Sequence, residues 1–72
     1  MKLDIEPGIV VEGSCGQRRE VVKIEWPNLL FRQVSRGGGG NKANIPELGE
    51  TRWQRIKQFA FWAQREVTEV AE

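Results

Sequence analysis

Basic residues interleaved with aromatic residues are the part of this sequence best suited to chemistry. Ten Lys and Arg residues but only four Glu residues fall between residues 17 and 65, whereas both ends of the chain are acidic. Cationic side chains pair with phosphates, and an indole ring stacks on bases. The pattern predicts a basic surface that binds nucleic acid, with Trp62 as the stacking side chain. Its members are Arg19, Lys23, Arg32, Arg36, Lys42, Arg55 and Arg65.

The alternative interpretation of the aromatic residues is a protein contact. Arg55, Trp62 and Arg65 follow helical spacing, and Phe61 is beside them. Large exposed aromatic side chains commonly mark the surface that a partner covers. On this interpretation the four residues form a protein-binding or homodimer patch. A third interpretation is ordinary solvation, in which the glutamates dilute the basic charge and Trp62 packs against the rest of the chain.

The residue types argue against catalysis and cofactor binding. The chain has no His and one Cys, so it offers no Cys–His or Ser–His pair, no Cys/His zinc site and no internal disulfide. The glycine-rich run 37–40 differs from a P-loop, because Lys42 is followed by Ala43, which lacks the hydroxyl that holds Mg²⁺. Cys15 has no His partner and is expected to be an incidental thiol. We therefore expect a non-enzymatic protein without cofactor or metal.

Length and hydropathy restrict the setting of the protein. Seventy-two residues correspond to a single small domain over 1–72. The sequence contains neither an apolar run long enough for a transmembrane helix nor the apolar region of a signal peptide near residues 1–7. We therefore expect a cytoplasmic protein that does not contact membranes, and a core so small that oligomerisation would add stability.

Periodicity predicts the elements that position these residues. Residues 8–35 contain three apolar or alternating segments separated by turn residues, which predicts a three-stranded antiparallel meander, with residues 3–5 as a possible fourth strand. Residues 36–49 include four consecutive glycines and are expected to form a flexible loop. Thr51 and Gln54 fit a capping box, and apolar residues three and four apart predict a helix over 51–70.

These elements predict an α+β fold, in which the antiparallel meander is followed by one long C-terminal α-helix packed on the sheet. The alternation in the second strand assigns Val22 and Ile24 to one face, and Arg19 and Lys23 to the other. The exposed edges of so small a sheet favour a homodimer. The predicted core comprises Val10, Val22, Ile24, Leu29, Phe31, Trp53, Ile56, Phe59, Ala60, Ala63 and Val67.

The sequence of residues 7–13, followed by residues 19–26, resembles the opening of small SH3-like or KOW-like β-barrels. The whole chain resembles compact uncharacterised proteins of bacteriophages and prophages, in which a short meander and a loop precede a helix like 53–62. The SH3-like resemblance implies binding to protein segments or to nucleic acid, and the second resemblance implies a mobile-element origin. We therefore expect a small binding or regulatory module that engages or blocks nucleic acid or a nucleic-acid-handling protein. Because one helix is predicted to take so much of the length, we expect an open sheet instead of a closed barrel.

Overall fold

The computed structural model describes residues 5–38 and 45–67, which fold around a single antiparallel sheet. The sheet has five strands in the order β4-β3-β2-β1-β5, and one helix, α1, lies between β4 and β5 in the chain. A 3₁₀ turn at Ser14–Gly16 joins β1 to β2. The bounds are β1 Val10–Glu12, β2 Gln17–Glu25, β3 Asn28–Arg36, β4 Thr51–Arg55, α1 Ile56–Trp62 and β5 Arg65–Val67.

The α+β class and the meander of β1, β2 and β3 are confirmed, and the turn between β2 and β3 falls at Trp26 and Pro27, which are joined by a cis peptide bond. The predicted number of strands is wrong, because the described chain has five. Leu3 and residues 39–44 of the predicted loop lie outside the described residues, and Ile5 is not in a strand.

The predicted helix over 51–70 is wrong at both ends. Residues 51–55 form β4, which pairs with β3, and residues 65–67 form β5, which pairs with β1. Over so few residues an apolar spacing of three or four does not exclude a strand, and strand pairing satisfies backbone groups that β1 and β3 would otherwise leave open. The helix that remains is capped by Arg55 without a side-chain hydrogen bond, so the predicted Thr51 capping box does not form. Residues 68–70 lie outside the described part.

The core is centred on the inner face of the sheet, which α1 covers. Its fully buried members are Val11, Val21, Leu29, Phe31 and Phe59, and the last three confirm the prediction. Partly buried side chains pack against them, namely Ile5, Ile9, Ile24, Ile56, Trp62 and Ala63. Two predicted core residues, Trp53 and Ala60, are exposed instead, and Val10, Val22 and Val67 are only half-buried and lie outside this cluster.

A β-bulge explains why Val21, and not Val22, belongs to the core. Val21 pairs with Phe31, but the next paired residue of β2 is Lys23, which pairs with Leu30. Val22 is therefore an extra residue in β2, and it shifts the alternation of side chains by one position. Val21 and Ile24 can both contact the core although they are three residues apart. The same shift separates Arg19 from Lys23, which were predicted to share a face.

No helix within residues 5–38 and 45–67 combines the length and the apolar composition needed to span a lipid bilayer.

Candidate functional site

The outer face of the sheet, opposite the core, presents a tryptophan among basic side chains. Leu29 and Phe31 are buried, so Leu30 between them points outward. Register places Leu30 between Lys23 of β2 and Trp53 of β4, so the three side chains form one row across the sheet. Trp53 is 52% exposed. We call this row and its two flanking rows the Trp53 face.

The flanking rows bring further charges to the Trp53 face. One row contains Glu20, Arg32 and Thr51, and the other contains Glu25, Asn28 and Arg55. The face thus brings together three of the predicted phosphate-binding residues, Lys23, Arg32 and Arg55. It places them around an aromatic residue that the sequence assigned to the core. Trp53 was missed because residues 51–55 were assigned to a helix.

Two of the three cations on this face have a carboxylate partner. Lys23 Nζ lies 3.0 Å from Glu25 Oε2, and Arg32 Nη1 lies 3.0 Å from Glu20 Oε1. Both pairs are largely exposed, so each contributes little to stability and can exchange partners in water. Arg55 forms no ion pair with any residue of the described ranges. The face can therefore offer cations to a ligand, although the glutamates reduce its net positive potential.

The other predicted binding residues lie elsewhere. Arg36 donates to the backbone carbonyls of Pro46 and Ile45, at 3.1 and 3.0 Å, and so fixes the end of the loop that follows β3. Arg65 pairs with Glu12 at 2.9 Å on the β1–β5 side of the sheet. Lys42 lies outside the described residues. These positions do not extend the Trp53 face.

The two aromatic residues of the predicted protein contact point in different directions. Phe61 is 94% exposed on α1. Trp62 instead packs against Phe59, with 5.7 Å between ring centroids, and its indole lies so close to Gly13 that a Cβ there would overlap it. Arg55 and Arg65 belong to β4 and β5, so the predicted helical stripe containing them and Trp62 does not exist.

The inner side of the sheet contains a second candidate site around Arg19. The Arg19 guanidinium lies between two rings, 4.1 Å from the centre of Trp62 and 4.5 Å from that of Phe31. Such cation–π contacts stabilise a cation that is partly removed from water. The structure therefore places Arg19 and Trp62 in contact on the inner side of the sheet, whereas the sequence analysis assigned both to an exposed binding surface.

Three glutamine carbonyls accept hydrogen bonds from Arg19. Its Nε donates to Gln33 Oε1 at 3.2 Å, Nη1 to Gln54 Oε1 at 3.2 Å and Nη2 to Gln17 Oε1 at 3.3 Å. Gln33 and Gln17 are themselves buried. Sequence reasoning missed these glutamines. The sequence did contain a signal for them. Gln17 and Arg19 in β2 and Gln33 in β3 are polar at positions where strand alternation would otherwise present apolar side chains to the core.

An open cleft of about 210 Å³ lies next to this cluster. Its walls are formed by Arg19, Phe31, Pro46, Arg52, Trp53 and Gln54, and we call it the arginine cleft. Burial and the nearby charge of Arg52 lower the pKa of Arg19 to about 10. Arg19 remains protonated at neutral pH, but its charge is poorly compensated. A cleft with two cationic walls is suited to an anionic ligand.

Comparison of the chain with models of protein families, with curated proteins and with solved structures found no match.

Proposed function

We propose that this protein is a small non-enzymatic binding module that engages single-stranded nucleic acid through the Trp53 face. The observation that carries the proposal is the half-exposed Trp53 indole in a row with Lys23 and Leu30, flanked by Arg32 and Arg55. Base–aromatic stacking contributes about 1–3 kcal/mol per base and needs an unpaired base. Cations around the ring can contact the phosphates of the same strand.

The arrangement of the five strands bears on the proposal through the SH3-like or KOW-like resemblance. The predicted long helix was the reason to expect an open sheet, and that helix is replaced by two strands and a helix at Ile56–Trp62. Among the described residues β4 and β5 do not pair with each other, so the sheet is open as expected, and its five strands remain compatible with the SH3-like or KOW-like resemblance. Such modules bind nucleic acid or protein segments, so the resemblance leaves the choice between them to the surface chemistry.

The test is an affinity measurement with a fluorescently labelled, unstructured oligonucleotide at ~50 and ~200 mM salt. We expect saturable binding that weakens steeply between the two salt concentrations. Trp53→Ala should weaken binding roughly 5- to 100-fold through the loss of stacking. Phe61→Ala is the matched control, because it removes another exposed aromatic side chain from a different surface, and should leave the affinity unchanged.

The charged residues provide a second measurement in the same assay. Arg55→Gln should reduce the slope of log affinity against log salt by about one unit if Arg55 contacts a phosphate. Lack of binding at ~50 mM salt, or equal affinity of Trp53→Ala and the wild type, would refute the proposal.

One observation favours a second candidate function, a protein contact or homodimer through α1. Phe61 is exposed over nearly its whole surface, which commonly indicates a partner. This candidate now depends on Phe61, since Trp62 packs inward. Sedimentation at several protein concentrations tests it: self-association that Phe61→Ala abolishes would support the homodimer, and a monomer at all concentrations would exclude it.

A further inference from the structure

The positive charge of Arg19 in the arginine cleft is not compensated in the way that carboxylates compensate the ion-paired cations on the sheet surface. Arg19 has no carboxylate within ion-pair distance among residues 5–38 and 45–67, and its three hydrogen-bond acceptors are neutral amides. Their distances of 3.2 and 3.3 Å are longer than is usual for charge-assisted bonds to an anion, about 2.7–2.9 Å. A guanidinium has five N–H groups, so two remain beyond these three bonds. We propose that the arginine cleft binds a small ligand whose oxyanion, a carboxylate or a phosphate, is attached to an apolar or aromatic body.

Arg52 supplies a second cation to the cleft. It lies opposite Phe31 in the β3–β4 register, and therefore on the same inner side as Phe31. Its Nε donates to Glu50 Oε2 at 2.8 Å, and this pair is exposed. An exposed pair of this kind exchanges easily, so an incoming oxyanion can replace Glu50 as the acceptor. The planar donor arrangement of arginine suits carboxylate and phosphate equally well.

The remaining wall residues of the cleft select the apolar or aromatic part of the ligand to which the oxyanion is attached. Phe31, Pro46 and Trp53 contribute apolar or aromatic surface, and Gln54 contributes an amide. A volume of about 210 Å³ accommodates a small ring or short chain within the open cleft. Two arginines in the wall exclude cationic ligands. Trp53 borders both the cleft and the Trp53 face. The proposal nevertheless does not depend on nucleic-acid binding, because Arg19 and Arg52, which would bind the oxyanion, belong to the inner side of the sheet and the cations of the Trp53 face to its outer side.

The experiment is a ¹H–¹⁵N NMR titration that follows the Arg19 Nε–H and the Gln54 side-chain amide. The probes are sodium benzoate and sodium phosphate, each compared with sodium chloride at equal ionic strength. We expect saturable shifts of both signals with at least one probe and none with chloride. Saturation with benzoate alone assigns a carboxylate, and saturation with phosphate alone assigns a phosphate. Shifts that fail to saturate with either probe, or that chloride reproduces, overturn the proposal.

Three variants sharpen the titration. Arg52→Gln should weaken binding of the saturating probe about tenfold, the size of effect typical for losing a hydrogen bond to a charged group. Arg18→Gln is the matched control, because Arg18 pairs with Glu12 and belongs neither to the arginine cleft nor to the Trp53 face, and it should change nothing. Glu50→Gln should strengthen binding several-fold, because it removes the competing carboxylate while keeping the side chain's shape. Equal affinities in all three variants would overturn the two-arginine site even where the wild type binds.

Discussion

The two faces of the sheet formed by β2, β3 and β4 compensate their cations differently. On the Trp53 face, Lys23 and Arg32 each lie 3.0 Å from a glutamate, and about half of each cationic side chain is exposed. On the inner face, Arg19 lies between two aromatic rings, and its hydrogen bonds within residues 5–38 and 45–67 go to neutral amides. The outer cations are free to exchange a carboxylate for a phosphate, whereas the inner cation is held in place by packing. The number of basic residues in the sequence therefore predicts neither how exposed these residues are nor whether a ligand can reach them.

The largest effect is expected from the residue that closes the inner face. Phe59 is fully buried and contacts the rings of Phe31 and Trp62. Phe59→Ala should reduce the free energy of unfolding by about 3–5 kcal/mol, because it leaves a cavity beside both rings. Phe61→Ala, two residues along the same helix and exposed, should change it by less than about 0.5 kcal/mol. Urea denaturation measures both, and similar losses in the two variants would contradict the assignment of the faces.

A smaller effect on the free energy of unfolding is expected at Gly13, which the Trp62 indole contacts. A Cβ on Gly13 would overlap the indole ring, whereas a Cβ on Gly38 has no neighbour within 4 Å. Gly13→Ala should therefore displace Trp62 from Arg19 and reduce the free energy of unfolding by about 1–3 kcal/mol. Gly38→Ala is the matched control and should be close to neutral. If Gly13→Ala leaves both stability and Trp fluorescence unchanged, Trp62 is not packed against Gly13.

Replacing arginine by lysine on each face compares the two environments directly. Arg19→Lys keeps the charge but loses the planar group that lies between the rings and reaches three glutamines, so we expect a loss of about 1–2 kcal/mol. Arg18→Lys alters a partly exposed pair with Glu12, 3.1 Å away, and should cost less than about 0.5 kcal/mol. Thermal denaturation distinguishes the two. Equal losses of unfolding free energy in the two variants would mean that the ring contacts of Arg19 do not stabilise the fold.

The smallest effect concerns acid stability at the rim of the arginine cleft. Hydrogen bonds from the Glu47 backbone N–H and from Arg52 lower the pKa of Glu50 below its ordinary value of 4.5. A carboxyl group with a lowered pKa stabilises the fold above its ordinary pKa, and this contribution is lost as the pH falls through the lowered value. The melting temperature of the wild type should therefore exceed that of Glu50→Gln at neutral pH, and the difference should shrink below pH 4.5. A constant difference down to low pH would contradict this origin.

Sequence reasoning predicted the elements with local signals and missed those that depend on distant pairing. The burial of Leu29, Phe31 and Phe59 follows from their apolar type. The reversal after β2 follows from the turn residues Pro27 and Asn28, and the observed turn at Trp26 and Pro27 begins one residue earlier. The bulge at Val22 has no local signal, so the buried face of β2 was predicted incorrectly near the bulge. The strand at Thr51–Arg55 exists because β3 offers a partner, and its short apolar pattern also fits a helix.

The candidate site could be predicted to a similar extent. Lys23, Arg32 and Arg55 were named from charge alone, and they share one face. Trp53 was assigned to the core because its environment depends on whether residues 51–55 form a helix or a strand. The role of Arg19 depends on the glutamines of β2, β3 and β4, which only the strand register brings together.

The claim that the Trp53 face binds single-stranded nucleic acid can be tested by ¹H–¹⁵N chemical-shift mapping with an unlabelled, unstructured oligonucleotide. The predicted result is a set of saturable shifts at Lys23, Leu30 and Trp53, including the Trp53 indole N–H, that weakens as salt is raised. Shifts confined to Phe61 and its helix, or no shifts at ~50 mM salt, would contradict the claim.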